Sequence, residues 1–329
     1  MNAWAAVSIG DLGRVVTGAT PKSSEPDSWG EFLDFITPSD QEAGRRTVRP
    51  ARRLSQIGAE RFERRIVPAN STCFTCIGST IGKVTLTADR AVTNQQINSV
   101  VPNVLHDGRF IYYLLLYRSR DITQIASGSA TPIINKTHFS NFTVHVPDLS
   151  MQQAIAEALG VLDDKIAINE RILDTAENLG SFLFEYYFPE AIRHVVGCTN
   201  LPEGWGVSDL GSTTETIETG SRPKGGVARY TSGVPSIGAE SVVRLAKFDF
   251  SKVKYVPEEF FVGLRRGVIE DRDILVYKDG GKPGDFKPHV SMFGNGFPFD
   301  RMSINEHVYR VRMKSELGQE FGYYWLSSP

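Results

Sequence analysis

The most regular pattern of apolar and polar positions lies in the middle of the chain. From Ile155, the residues Leu159, Leu162, Ile166, Asn169, Leu173, Ala176, Gly180, Leu183 and Tyr187 follow at alternating steps of four and three, a heptad seam. Ser150-Met151-Gln152-Gln153 has the form of a capping box, and Pro189 is a stop. The spacing predicts a helix within 148–190, on the order of 58 Å long at roughly 1.5 Å per residue. A helix of that length needs something equally long against its seam. Its flanks are acidic (Glu157, Asp163, Asp164, Glu170, Asp174, Glu177 and Glu185 against Lys165 and Arg171), so it is a poor surface for phosphates. Asn169 on the seam reads either as a register-setting polar residue of a helix pair or as an exposed break. On both sides the period changes. Alternating runs such as Tyr309-Arg310-Val311-Arg312-Met313, apolar runs such as Ile274-Leu275-Val276-Tyr277, and many Gly/Pro loops predict strands. The expected class is α+β, two strand-rich mixed domains joined by a long coiled-coil-type helix.

The two flanks repeat one another. Trp4, Asp11-Leu12-Gly13 and Gly18-x-x-Pro21-Lys22 answer to Trp205, Asp209-Leu210-Gly211 and Gly220-x-x-Pro223-Lys224. Gly78-Ser79-Thr80-Ile81-Gly82-Lys83 faces Asp279-Gly280-Gly281-Lys282-Pro283-Gly284, Asn94-Gln95-Gln96 faces Asn305-Glu306-His307, and Tyr112-Tyr113-Leu114-Leu115 faces Tyr323-Tyr324-Trp325-Leu326. The order is kept throughout, as an internal duplication requires. The expected domains are 1–147, a spacer and docking helix at 148–190, and 191–329. The second copy ends without a counterpart to residues 119–188, so it is expected to be C-terminally incomplete and to lack a second long helix.

Composition narrows the chemistry. A chain of 329 residues holds about two domains at roughly 150 residues each. With 36 Lys+Arg against 38 Asp+Glu, the net charge of −2 provides no general basic field, so any nucleic-acid face must be local. The longest apolar run, Phe110 to Tyr117, is far short of a membrane span, and Met1-Asn2-Ala3-Trp4 does not open a secretory signal. Three cysteines fit a reducing compartment, and a cytoplasmic location is expected. The Gly78–Gly82 loop has one residue too few between its glycines for a nucleotide-phosphate loop, and Val84 replaces the Mg-binding hydroxyl. Cys73-Phe74-Thr75-Cys76 has zinc spacing but lies in a predicted strand with no second pair of ligands. No nucleophile elbow, histidine motif or dinucleotide fingerprint is present. Neither a metal nor a catalytic residue is expected in this chain.

Positive charge clusters where loops are expected. Arg45, Arg46, Arg49, Arg52, Arg53, Arg61, Arg64 and Arg65 stand against only Glu42, Glu60 and Glu63, and Arg265, Arg266, Arg272, Lys278, Lys282 and Lys287 form a second group. Arginine offers a planar fork to phosphate or guanine, and Asn or Gln can pair with adenine. The candidate DNA-binding residues are Lys22, Ser23, Arg45, Arg46, Ser79, Thr80, Lys83, Asn94, Gln95, Gln96, Lys136, Arg222, Lys224, Lys278, Lys282 and Lys287. A solvated helix face for the arginines, and a loop amide bonding its own backbone for Asn94–Gln96, are the competing readings.

Taken together, these blocks resemble the DNA-specificity subunit of type I restriction-modification systems. The resemblance extends through Ile133-Ile134-Asn135-Lys136, Val146-Pro147, Gln152-Gln153-Ala154-Ile155-Ala156 and Leu162-Asp163-Asp164-Lys165-Ile166, and so covers essentially the whole chain. It implies two target-recognition domains that read the halves of a split, asymmetric site on double-stranded DNA. It further implies that methylation and cleavage belong to methyltransferase and restriction/translocase subunits. Adenosylmethionine, ATP and Mg would be bound there and no cofactor here. Ile155, Leu159, Leu162, Ile166, Asn169, Leu173, Ala176 and Leu183 are the expected docking seam for those partners, or for a second copy of the chain. A component of a fused or type II-like restriction or modification enzyme with its own active site is the alternative.

Overall fold

The computed structural model describes residues 4–42, 44–124, 133–189, 203–282, 285–286 and 289–328. The chain divides into two compact units, Met1–Arg171 and Ile172–Pro329. The helix Leu149–Tyr187, 39 residues long, runs through that division and contributes to the core of both.

In the first unit an antiparallel sheet has the order Gly13–Thr17, Ile97–Pro102, Thr72–Thr75, Val84–Leu86. A second sheet has the order Trp29–Gly30, Arg52–Leu54, Leu33–Ile36, Ala91–Thr93, with its last pair parallel. These strands are short and rich in Val, Thr and Phe, which suits a pleated surface buried on both faces. The helix Gly108–Tyr117 is started by Asp107, whose Oδ1 accepts from Arg109 N and Phe110 N (both 2.9 Å). Its Phe110, Ile111 and Leu115 pack with Phe74, Phe139 and Ala156 in one buried cluster.

The second unit repeats this plan. Its antiparallel sheet has the order Thr214–Thr219, Val308–Met313, Ile274–Tyr277, His289–Met292. Beside it stand Lys254–Val256, Val234–Ile237 and Ser303–Ile304, again with the last pair parallel. Correspondence reaches single residues. Cys76 N donates to Gln96 O and Lys278 N to His307 O, while Asn94 N donates to Ile36 O and Asn305 N to Ile237 O. Asn70 and Arg272 both adopt a left-handed backbone at the same point, φ +60° and +58°. In the first unit only, among the described residues, Ala5–Ser8 pairs with Thr143–Val146.

The central helix departs from expectation at its start. It begins at Leu149, with Asp148 Oδ1 accepting from Met151 N (2.9 Å), so the cap lies two residues ahead of Ser150. The face packed within each unit is largely distinct from the heptad seam, with which it shares Gly180. In the first unit the packed positions are Gln152, Ala156, Gly160 and Asp163; in the second they are Asp174, Glu177, Gly180 and Phe184. Of the seam residues, Ile155 touches the core cluster, whereas Leu159, Leu162, Ile166, Asn169, Leu173, Ala176 and Leu183 are exposed. Val161, Ile168, Ile172, Leu179, Phe182 and Tyr186 are exposed as well. The bare apolar arc is therefore broader than an a/d stripe and faces away from the packed positions, which follow the complementary face of the 3.6-residue turn. Apart from Phe184, which packs against Phe321 and Tyr324, the packed positions are small or polar, and the modules grip them through carboxylates and by close approach.

Candidate nucleic-acid interface

The Gly-x-x-Pro-Lys loop of each unit is fixed from beneath by the turn that carries its asparagine. In the first unit Gly18 N donates to Ile97 O (3.1 Å) and Ala19 N to Thr93 O (2.8 Å). A Cβ on Gly18 would fall inside van der Waals contact with the Thr93 and Asn94 carbonyl oxygens, so only glycine fits. Asn94 closes an Asx turn, its Oδ1 accepting from Gln96 N (3.0 Å) and its Nδ2 donating to Gln96 Oε1 (3.2 Å). Thr20 Oγ1 donates to Gln95 Oε1 (2.5 Å), tying loop to turn. In the second unit Gly220 lies equally close to Ile304 O, Asn305 Oδ1 accepts from His307 N (2.9 Å), and an Arg222–Glu306 ion pair replaces Thr20–Gln95. Loop and turn thus present one rigid, solvent-facing edge in each unit.

The predicted site residues distribute unevenly on this frame. Lys22, Ser23 and Lys224 are exposed, and their side chains have no hydrogen bond or ion pair among the described residues. Gln95 is the exposed member of its run; the oxygens of Asn94 and Gln96 are held in the Asx turn. Ser79 and Thr80 sit between Gly78 and Gly82, which take φ +89° and +91°. Lys83 bends back, its Nζ donating to Pro38 O (3.0 Å). Lys136 is exposed at the start of the helix Lys136–Asn141, and Lys278 lies over the Tyr309 ring at 5.4 Å. Lys282 belongs to the two-residue strand Gly281–Lys282, paired with Asp285–Phe286; Lys287 lies outside the described residues.

Two arginines have other duties. Arg45 pairs with Glu42 (2.9 Å). Arg46 turns to the central helix, its Nη2 meeting Asp164 Oδ1 (2.6 Å) and its Nη1 donating to Gly160 O (3.3 Å), so it clamps the module to the helix and is withdrawn from the open face. Tyr113 Oη donates to Asp163 Oδ2 (2.7 Å) beside it. The second unit contains the same device, missed in the sequence because its carboxylates come from another turn of the helix. Tyr323 Oη donates to Glu177 Oε1 (3.1 Å), and Arg244 pairs with Asp174 and with Glu177 (3.4 Å). The duplicated Tyr-Tyr block was the one available signal.

Groups with reactive potential are occupied structurally. Cys73 and Cys76 are buried, and burial pushes their thiols up to about 11 and about 12, away from the thiolate needed to ligate or attack. Asp273 is buried against Arg310 and Arg312 (2.7 Å to Arg312 Nη2), and burial raises its carboxyl above the usual range despite those partners. Among the described residues no cluster of His, Cys, Asp or Glu is arranged to hold a metal ion. No described helix is long and apolar enough to cross a membrane.

The fold defines a tandem protein, two related strand-rich modules that share one long helix. Its family follows from comparison: the type I restriction modification DNA specificity domain matches residues 1–178, and the chain belongs to that family. The HindI specificity subunit of Haemophilus influenzae is 32% identical over 147 residues, 44% of this chain and 32% of that protein. The MjaIX specificity subunit of Methanocaldococcus jannaschii is 23% identical over 290 residues, 84% of this chain and 66% of that protein. The chain thus spans about a third of the first relative's length and about two thirds of the second's. A crystal structure of the type I restriction-modification S subunit from M. genitalium has the same fold, with TM-score 0.51, 14% identity, and 98% of this chain and 76% of that one covered.

Proposed function

We propose that the chain is the sequence-reading subunit of a type I restriction-modification complex, in which each module reads one half of a bipartite DNA site. The observation that carries this is the duplicated edge: two modules of one topology present a Gly-x-x-Pro-Lys loop locked to an Asx turn, with an exposed lysine in each, the exposed Gln95 amide in the first, and no catalytic constellation among the described residues. Such edges suit major-groove and backbone contacts, and two similar readers suit a split site. The bare apolar arc of the helix, with Ile168 and Phe182 55% and 61% exposed, is too continuous to remain wet and docks methyltransferase subunits or a second helix. Methyl transfer, cleavage, adenosylmethionine, ATP and Mg belong to those partners, and the complex acts in the cytoplasm of a bacterium or archaeon.

Selection of duplexes from a random library by the full chain, followed by sequencing, tests the reading. Two short motifs at a constant separation are expected, and an unstructured pool would refute it. Ile168→Glu with Leu179→Glu should keep that selection and abolish co-purification of the methyltransferase subunit; unchanged co-purification would move docking off this arc.

A further inference from the structure

We propose that each module carries the same phosphate clamp, Lys22 with Arg64 and Arg65 in the first unit and Lys224 with Arg265 and Arg266 in the second. The proposal rests on the DNA-reading function above and names the part of the surface that grips the backbone without reading bases.

The arginine pairs are equivalent by register. Arg64-Arg65-Ile66-Val67 ends on an isolated antiparallel bridge from Val67 to Ala91, and Arg265-Arg266-Gly267-Val268 ends on one from Val268 to Ser303. Ala91 and Ser303 each open the strand that runs parallel to its neighbour. Each pair follows a short helix, Gln56–Arg61 or Glu258–Val262. Both also abut the Gly-x-x-Pro-Lys loop. Arg65 Nη1 donates to Thr17 O (2.6 Å) and Gly18 O (3.0 Å), and a Cβ on Gly267 would lie 2.8 Å from Gly220 Cα. An open cleft of about 580 Å³ runs from Ser221 past Phe260 and Leu264 to Arg265 and Arg266. Glu259 also lines it, one carboxylate against two guanidiniums.

Charge pairing separates these cations from their neighbours. Arg53, Arg61, Arg272 and Arg301 each have a carboxylate within 3 Å, in Asp34, Asp27, Glu320 and Glu258. Lys22, Arg64, Arg65, Lys224, Arg265 and Arg266 are exposed and have no carboxylate partner among the described residues. Arg65 braces the loop through carbonyl oxygens, which leave its charge unneutralised, and in a chain of net charge −2 uncompensated charge at matched positions is not a general excess. A set that is chemically identical in two modules cannot discriminate two different half-site sequences. It can hold what every half-site shares, the phosphodiester oxygens, for which the forked guanidinium and the lysine point charge are suited.

The test is the salt dependence of binding, measured by fluorescence anisotropy with the full chain and a random-sequence duplex. Each lost phosphate contact should flatten the slope of log K against log salt by about 0.9. Arg64→Gln should therefore reduce it by about 0.9 and Arg265→Gln with Arg266→Gln by about 1.8. Lys314→Gln, an exposed cation elsewhere, should leave it unchanged. Arg265→Lys with Arg266→Lys keeps the charge and should restore the slope, and melting temperatures equal to the parent's would show that the fold is kept. Slopes as steep as the parent's in the Arg→Gln variants would overturn the clamp while leaving DNA reading intact. No binding by the parent, or binding indifferent to salt, would overturn both.

Discussion

At the residue scale, the tightest constraint on the loop-and-turn edge is a missing side chain. Gly18 and Gly220 bring their loops against the carbonyls of the asparagine turns, and alanine at either would overlap backbone that has no room to retreat. Gly18→Ala and Gly220→Ala should each cost about 1–3 kcal/mol, the range for overpacking, seen as a lowered denaturant midpoint. A midpoint equal to the parent's would show that the loop is free to shift. These glycines were legible in the sequence because the Gly-x-x-Pro-Lys spacing survives in both copies. The equivalence of Asn70 with Arg272, or of Thr20–Gln95 with Arg222–Glu306, was not legible, since position and backbone are kept while the chemistry changes. Arg46 has partners that the sequence did not reveal. Local charge density placed it with the phosphate binders, but its partners Gly160 and Asp164 lie more than a hundred positions along the chain, and linear charge counting does not see them.

At the scale of elements, the long helix was readable and its faces were not. A 3.5-residue apolar repeat marks most of the arc left bare, whereas of the packed positions only Ala156 and Phe184 are apolar, and Gly160, Asp163, Asp174 and Glu177 carry no hydrophobic signal. Tertiary packing there works through close approach and through hydrogen bonds to carboxylates. Tyr113→Phe and Tyr323→Phe should each cost about 1 kcal/mol, the net value of one such bond, measured by thermal unfolding. The neighbouring Tyr112 adds a pH dependence. Burial first, and then the Asp163 charge, raise its phenol from the ordinary 10 to about 12. The folded state therefore favours the neutral ring, and that contribution is complete below pH 10 and is lost as the pH rises through about 12. Stability should fall across that interval, and Tyr112→Phe should flatten the fall. A Tyr112→Phe variant with the parent's alkaline profile would place the titration elsewhere.

For the whole molecule, the proposed function makes use of the duplication: two modules of one topology, displaced along the DNA, would suit a split site. The helix is continuous along the chain, and each unit grips it at its own carboxylates, Asp163 and Asp164 or Asp174 and Glu177, so on that proposal its length is the variable to test. Four residues inserted after Glu170, between the two sets, would add about 6 Å of rise and roughly 40° of rotation. B-DNA advances about 34 Å in 10 base pairs, so the preferred spacer should lengthen by about two base pairs. The change should appear in the separation of the two motifs when bound duplexes are selected and sequenced. The same insertion in the exposed turn Asn103–His106 should leave the separation unaltered. If the spacer stayed constant with the lengthened helix, the distance between half-sites would have to be set by the partner subunits, and the helix would serve for docking alone.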